Sequence, residues 1–339
     1  DMGQSLSGTI YIREFTKPTM KLTDKLMADN PTIGTRTTFT AFTETNKGTL
    51  YKATEQIGTN PVKDVYYFAG DAKNNWVKFG KENIRSCTYK GKGVVYADMT
   101  NQTTKTPENE TECTSTNICD AGEKGYAVGL TESECSNIPG TKWITEKATW
   151  SEATKDIYWR IIRTNADGSI RLLYHGTSTT AEDAYIGTSS FNNTTDKSYY
   201  VGYMYSSGVQ RGNATDSTIK TVVDKWYSEN LKVYEDYISD TAVYCNNRSL
   251  NPGETWTESG NNFGYNTERF VRNRNFTYNC DNNDDKFSVS TSTGNGILKY
   301  PIALISADEL VLAGAVYNKK NNNAWYFNNS NNISSTGDK

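Results

Sequence analysis

The chain has 339 residues, which is enough for one large domain or two ordinary ones. Only 35% of the residues are hydrophobic, but 12% are aromatic and 23 are tyrosine, which favours a folded, strand-rich protein with a polar surface over a disordered chain. The formal net charge of −3 argues against nucleic acid and anionic membranes as partners, and no run approaches the roughly 20 apolar residues of a membrane helix.

Residues 1–55 are predicted to form an N-terminal arm. Within this arm, residues 9–15 alternate like a short strand and residues 21–28 favour a polar helix. Residues 35–45 are rich in threonine, which is typical of a solvated strand. We therefore expect the arm to lie at an edge of the fold.

Two strand pairs are predicted further along the chain. Residues 64–70 and 74–80 are β-rich runs separated by a polar turn, and together they suggest a hairpin. Residues 157–164 and 169–174 flank a turn that contains Asp-Gly, the strongest short-range hairpin signal in the sequence. Both pairs are expected to belong to one sheet.

Residues 81–155 have a different character, with few apolar runs and many threonine, glutamate and lysine residues. Burial alone would not hold such a segment together, so two internal disulfides are expected. The sequence does not separate the three possible pairings. We interpret the segment as a cysteine-rich insertion in a hairpin loop. Its four cysteines are Cys87, Cys113, Cys119 and Cys135.

The apolar periodicity becomes helical after residue 216. Either Asp216 or Ser217 is placed to cap a first helix. Ser306, Glu309 and the terminal Gly314 predict a second helix with a serine cap. Both apolar faces are expected to pack inward. The stripe of the first helix consists of Ile219, Val222, Val223, Trp226, Tyr227 and Leu231.

The six cysteines include no Cys-x-x-Cys pair, so zinc ribbons and thioredoxin-like chemistry are disfavoured. Structural disulfides, and with them an extracellular or cell-surface location, are the preferred interpretation. Cys245 and Cys280 are expected to pair with each other, because the other four cysteines lie together in the insertion. This bond would contribute about 3 to 4 kcal/mol under the chain-entropy account.

The order of these features is similar to that of a known group of proteins. A hairpin with Trp159 and Arg160, an Asp-Gly turn, a helix with Trp226 and Leu231, and a helix start at Ser306 follow one another. This order resembles an uncharacterised bacterial secreted family with the C-type-lectin-like fold, near the formylglycine-generating-enzyme branch. The resemblance covers residues 64–80, 158–176, 217–231, 244–250 and 300–314.

The resemblance implies an α+β fold, namely a strand-rich C-type-lectin-like domain with two amphipathic helices and a disulfide-rich insertion. The core domain would comprise residues 56–80 and 156–339. Little activity carries over, since the calcium-dependent lectin strings Glu-Pro-Asn, Gln-Pro-Asp and Trp-Asn-Asp are missing from the sequence. The oxidising enzyme uses a cysteine pair near its C-terminus, whereas no cysteine follows Cys280.

The family pattern continues past a Trp-rich strand into further strands that close the domain, whereas this chain stops at Lys339. Either this member ends early, the chain is truncated, or another chain supplies the strands. In the last case an open sheet edge becomes an assembly device. The candidates for strand exchange are Thr9, Ile10, Tyr11 and Ile12.

Aromatic and amide side chains cluster near the end of the sequence. Their combination suits contact with a sugar or a protein surface, because rings bury area and amides hydrogen-bond adaptably. The alternative is a polar loop at the end of the chain. The proposed ligand-binding residues are Trp325, Tyr326, Asn328 and Asn329.

The sequence gives little support for a conventional catalytic site or metal site. His175 is the single histidine, which excludes catalytic triads and multi-histidine zinc sites and favours a structural or exposed role. Asp284 and Asp285 have oxygen ligands suited to calcium, but their spacing fits no known loop and a solvated turn is favoured. We predict no catalytic residue, no metal and no cofactor.

The sequence therefore favours an extracellular bacterial surface protein without enzymatic activity. We expect an adhesin or a subunit of a pilus-like or filament-like appendage, assembled by strand exchange between subunits. Its partners would be other copies of itself, or a host or cell-surface protein or glycan. The alternatives are a lectin-like glycan-binding module and a secreted hydrolase that uses aspartate and glutamate as acid and base.

Overall fold

The computed structural model describes residues 21–37, 50–70, 72, 75–180, 185–193, 200, 202–248 and 276–314. The predicted strand at residues 9–15 and most of the threonine-rich run lie outside these ranges. Within them, the chain is a strand-rich α+β fold with three disulfides, as the sequence predicted.

Most of the described strands belong to one mixed sheet. The strands are β1 (Ile33–Thr35), β2 (Leu50–Glu55), β3 (Lys63–Phe68), β4 (Trp76–Tyr89), β5 (Lys92–Asp98), β6 (Thr103–Lys105), β7 (Ile118–Asp120), β8 (Tyr126–Val128), β9 (Lys142–Ile144), β10 (Thr149–Thr164), β11 (Ile170–Tyr174), β12 (Met204–Tyr205), β13 (Thr215–Asp216), β14 (Tyr244–Cys245) and β15 (Lys286–Phe287). The α-helices are α1 (Leu22–Asp29), α2 (Glu110–Cys113), α3 (Glu132–Ser136), α4 (Thr218–Asn230) and α5 (Ala307–Leu312). Short 3₁₀ helices span Gly122–Lys124, Lys232–Tyr237 and Asn283–Asp285.

Strand β10 is the centre of the large sheet. It has 16 residues and pairs antiparallel with β4 along residues 149–160. The opposite edge of β10 pairs with β11 along residues 159–164. On the edge that β4 uses, Arg163 near the end of β10 pairs with Tyr67 of β3. The order across the sheet is β1-β2-β3-β10-β4-β5-β8-β7-β9, with β11 on β10 and β6 on β5.

The predicted hairpin between residues 64–70 and 74–80 is wrong, because β3 and β4 do not pair with each other but pair in succession with one edge of β10. The buried Asn75 holds the connection against β10. Its Nδ2 donates to the Ile161 carbonyl at 3.0 Å, and its own carbonyl accepts from the Ile161 N–H at 2.8 Å. The strand before Asn75 and the strand after it therefore pair with β10 instead of with each other.

The second predicted hairpin is confirmed by the antiparallel pairing of β10 with β11. In its turn, the Asn165 N–H donates to the Ser169 carbonyl at 2.8 Å. Gly168 has a φ of +86°, which glycine adopts readily and which explains the Asp-Gly signal.

Both predicted helix starts are confirmed. Ser217 caps α4 by accepting from the Lys220 N–H at 3.2 Å, so Ser217 and not Asp216 is the N-cap. Ser306 and Glu309 form a reciprocal capping box at α5. The buried apolar face that begins in α4 consists of Val223, Trp226, Tyr227 and Leu231.

The predicted N-terminal arm is not separate from the core. The helix expected at residues 21–28 is α1, and its Leu26 is buried in the cluster that contains Ile161. Strand β2 pairs with β3, and its Leu50 and Tyr51 are buried. Because β2 supplies a strand of the central sheet, residue 55 does not mark a domain boundary.

The insertion has small apolar clusters of its own, built from β5, β7, β8 and β9 with α2 and α3. It joins the rest of the fold through β4 and β10, which stay paired as far as Thr88 and Thr149. The predicted limits at residues 81 and 155 therefore cut through two paired strands. Of the three possible pairings, the structure has Cys87–Cys113 and Cys119–Cys135, and Cys245 is bonded to Cys280 as expected.

A cluster of buried charges joins the end of β10 to β2 and α5. Arg163 Nη2 lies 2.9 Å from Glu55 Oε1, and Arg163 Nε lies 3.5 Å from Glu309 Oε1. Arg171 Nη1 lies 3.2 Å from the same Glu309 oxygen. Burial opposes ionisation of Glu309, but Arg171 and Arg163 outweigh it, so the pKa of this carboxyl lies below its ordinary value.

The variant E309Q is expected to lose about 3 to 5 kcal/mol of unfolding free energy, because it leaves buried guanidinium charge uncompensated. Urea denaturation at neutral pH measures this loss. The control E152Q removes an exposed pair with Arg85 and is expected to cost at most about 1 kcal/mol.

The cost of E309Q should also depend on pH. Because the pKa of Glu309 is lowered in the fold, its contribution is present above about pH 4.3, the ordinary glutamate pKa, and is lost as the pH falls. A cost no larger than that of E152Q, or one that is constant with pH, would contradict the assignment.

The double variant C119S/C135S is expected to expose the insertion to protease while the core stays protected. Removing this disulfide should cost about 3 kcal/mol, and the affected residues lie in a cluster separate from the β10–β11 core. Limited proteolysis with mass mapping locates the cuts, and C245S/C280S is the control, with cuts expected outside the insertion. First cuts of C119S/C135S within β10 or β11 would disprove this separation.

Candidate functional site

Two groups of predicted functional residues lie outside the described ranges. Both predictions therefore stay predictions. They are the ligand contacts Trp325, Tyr326, Asn328 and Asn329, and the strand-exchange candidates Thr9, Ile10, Tyr11 and Ile12.

The solvated turn favoured for Asp284 and Asp285 is confirmed for Asp284, which is exposed, but it is wrong for Asp285, whose carboxylate is engaged by arginine and is not free to bind calcium. Asp285 is 1% exposed, and its carboxylate lies 2.7 Å from Arg248 Nε and 3.2 Å from Arg211 Nε. The Asp284 carbonyl accepts from Arg248 Nη2 at 3.0 Å. This turn therefore holds an arginine next to the disulfide of Cys245. Within the described ranges, no cluster of His, Cys, Asp and Glu is arranged to hold a metal ion.

His175 packs against the ring of Trp76. Its ring centroid lies 4.4 Å from that of Trp76, at an edge-to-face angle of 73°. Burial and the positive charge of Arg160 lower the pKa of the imidazole, so it is neutral at physiological pH. This geometry agrees with the structural role that the sequence favoured.

A cavity of about 480 Å³ lies between the sheet and its cover. Strands β4, β10 and β11 contribute one wall, where Val77 is the cross-strand partner of Trp159. The cover comes from α4 and from residues around 238 and 302. The volume lies in the range of small-ligand sites. The main apolar lining residues are Phe79, Trp159, Leu172, Tyr227, Leu231 and Ile302.

Strand β11 lines this cavity as far as Leu172, and its outer edge is unpaired. The His175 N–H donates to the Tyr158 carbonyl, and hydrogen-bonded positions alternate along an antiparallel ladder. The N–H groups of Leu172 and Tyr174 therefore point away from β10. No residue in the described ranges accepts a hydrogen bond from these two groups. We call this edge, together with the cavity, the β11 groove.

Two buried polar atoms of the cavity lining have no partner among the described residues. They are Tyr227 Oη and Asn165 Oδ1, on side chains 1% and 6% exposed. Burial raises the pKa of the Tyr227 phenol, so it stays protonated and can donate, whereas the amide oxygen can only accept. The cavity thus suits an apolar group with one polar tip.

The rim of the groove exposes large apolar side chains. Leu22 is 47% exposed and Tyr237 is 77% exposed, and both line the cavity. Exposed apolar area at the mouth of a cavity is typical of interaction sites. The groove is therefore suited to a partner that covers the rim as well as filling the cavity.

The sequence predicted that these side chains point inward, but it did not predict the groove. The alternation around Trp159 and the helical stripe through Tyr227 identify core faces, whereas a gap between two layers depends on how they pack. The sequence held one indication of the unpaired edge, because β11 is followed by a long Ser/Thr/Asn/Gly-rich stretch that reads as a loop with an aromatic strand at residues 199–205.

Comparison of the chain with protein-family models, curated proteins and solved structures finds no match. In the described part of the chain, no helix has both the length and the apolar character needed to cross a membrane.

The variant Y227F is expected to keep or raise stability, by up to about 1 kcal/mol, because it removes a buried hydroxyl without a partner. The control Y244F removes a hydroxyl that donates to the Pro301 carbonyl and should lose about 1 kcal/mol. Urea denaturation compares the two. If Y227F loses as much as Y244F, the Tyr227 hydroxyl is already satisfied and the polar part of the site is wrong.

Proposed function

We propose that this chain is an extracellular bacterial surface protein that binds an extended polypeptide segment in the β11 groove. It acts as an adhesin or an appendage subunit and catalyses no reaction. The observation that carries the proposal is that β11, whose outer edge is unpaired, also lines an apolar cavity.

Strand addition uses both parts of the groove. An incoming strand accepts hydrogen bonds from the N–H groups of Leu172 and Tyr174, which supplies affinity independent of sequence. Successive side chains of a strand point to opposite faces, so every second residue faces the cavity beside Leu172. The cavity then selects apolar residues at alternate positions.

The extracellular location is supported by the three disulfides, since such bonds persist in oxidising compartments. The C-type-lectin-like identity of the fold belongs to the same proposal and is supported by the strand-rich α+β architecture. The absence of catalysis is supported by the state of three buried carboxylates. Glu55, Glu309 and Asp285 are each ion-paired with arginine and hold elements of the fold together.

Panning a phage-displayed library of random dodecapeptides against the folded, oxidised protein tests this function. The wild-type protein should enrich peptides with apolar residues at every second position. The variant A303F places a ring in the cavity that Ala303 lines and should enrich none. The control A153F makes the same change on an exposed face of β10 and should behave like the wild type.

Enrichment that survives A303F would place binding elsewhere on the protein. A wild-type protein that enriches no peptide would remove the proposed function. Circular dichroism of both variants, matched to the wild type, confirms that the comparison is between folded proteins.

A further inference from the structure

We propose that the strand bound in the β11 groove is residues 9–15 of a second copy of this chain. This inference rests on the proposed strand-binding function and names its partner. It also gives the strand-exchange candidates Thr9, Ile10, Tyr11 and Ile12 a specific acceptor.

The composition of this segment fits the groove. Ile10 and Ile12 alternate with Tyr11 and with residues 13–15, which read Arg-Glu-Phe, so apolar side chains occur on both faces of a strand. The segment is longer than the five residues of β11. Tyr11 matches the lining of the cavity, because it has an apolar ring and a hydroxyl that can donate to the unpartnered Asn165 Oδ1.

The residues that follow the donor segment lie next to the groove. Lys21 lines the cavity, and Thr23 Oγ1 donates to the Gly168 carbonyl at 2.7 Å, two residues before β11 begins. The first described residues, which follow the donor segment in the sequence, therefore lie at the rim of the groove. Two copies that meet at this rim bring a donor and an acceptor together.

The connection favours a neighbouring copy over the segment's own groove. Lys21 has an extended backbone, with φ −65° and ψ 149°. The sequence predicts the same for Lys17, because the residue before a proline disfavours the helical backbone. An extended connection at this point favours a groove on a neighbouring copy.

The symmetry of such a contact matters for function. The donor segment and the acceptor groove are different surfaces of one subunit, so the interface is heterologous. Repetition of a heterologous contact produces a ring or an open filament. An appendage subunit needs this type of contact.

Two complementary variants test the exchange in the full-length chain. I12P removes an N–H and the regular strand backbone from the donor segment but leaves the groove intact. A303F fills the groove but leaves the donor intact. By light scattering coupled to size exclusion, each variant alone should be monomeric, whereas an equimolar mixture should form one-to-one dimers that do not extend further. The wild type and the control S5P should form larger, concentration-dependent species.

A mixture of I12P and A303F that stays monomeric would overturn the exchange, and so would a wild type that stays monomeric across the accessible concentration range. The two proposals can fail separately. If I12P binds the library peptides while the mixture stays monomeric, the groove binds strands but not those of its own kind. If I12P binds no peptide either, the strand-binding function itself is wrong.

Discussion

Arg163 bridges the carboxylates of Glu55 and Glu309 in the buried interior, and Arg171 shares the second of them. These four side chains come from β10, β2, α5 and β11, which are far apart in the sequence. A shift of β10 along its neighbours would leave buried charge unpaired at a cost of several kcal/mol. The register of β10, and through the turn that of β11, is therefore held by this cluster.

The groove follows from the position of β10. One edge of this strand is used by β4 and β3, so β11 takes the other edge and keeps its own outer edge unpaired in the described part of the chain. Trp226 and Leu231 pack against Trp159 and cover the β4–β10 side of the sheet. The cavity remains where this cover meets Leu172. An open edge and an apolar pocket are thus two results of one arrangement, and their combination favours strand binding.

Features with local causes could be predicted from the sequence, and features that depend on distant segments could not. Ser217, Ser306 and the Asp-Gly turn act on neighbouring backbone, so the helix starts and the β10–β11 hairpin were correctly predicted. The separation of β3 from β4 depends on β10, which lies far along the chain. Asp285 was expected in solvent because its arginine partner is 37 positions away, and the groove is a property of layer packing that no single pattern encodes.

Amide hydrogen exchange in β11 is the most direct measurement of the central claim. It compares the protein alone with the protein saturated by a groove-binding dodecapeptide. Strand addition predicts that exchange slows at Leu172 and Tyr174, whose N–H groups form the outer edge, while Leu173, which pairs with Arg160, changes little. Unchanged exchange at Leu172 and Tyr174 under saturation would show that no strand is added to β11.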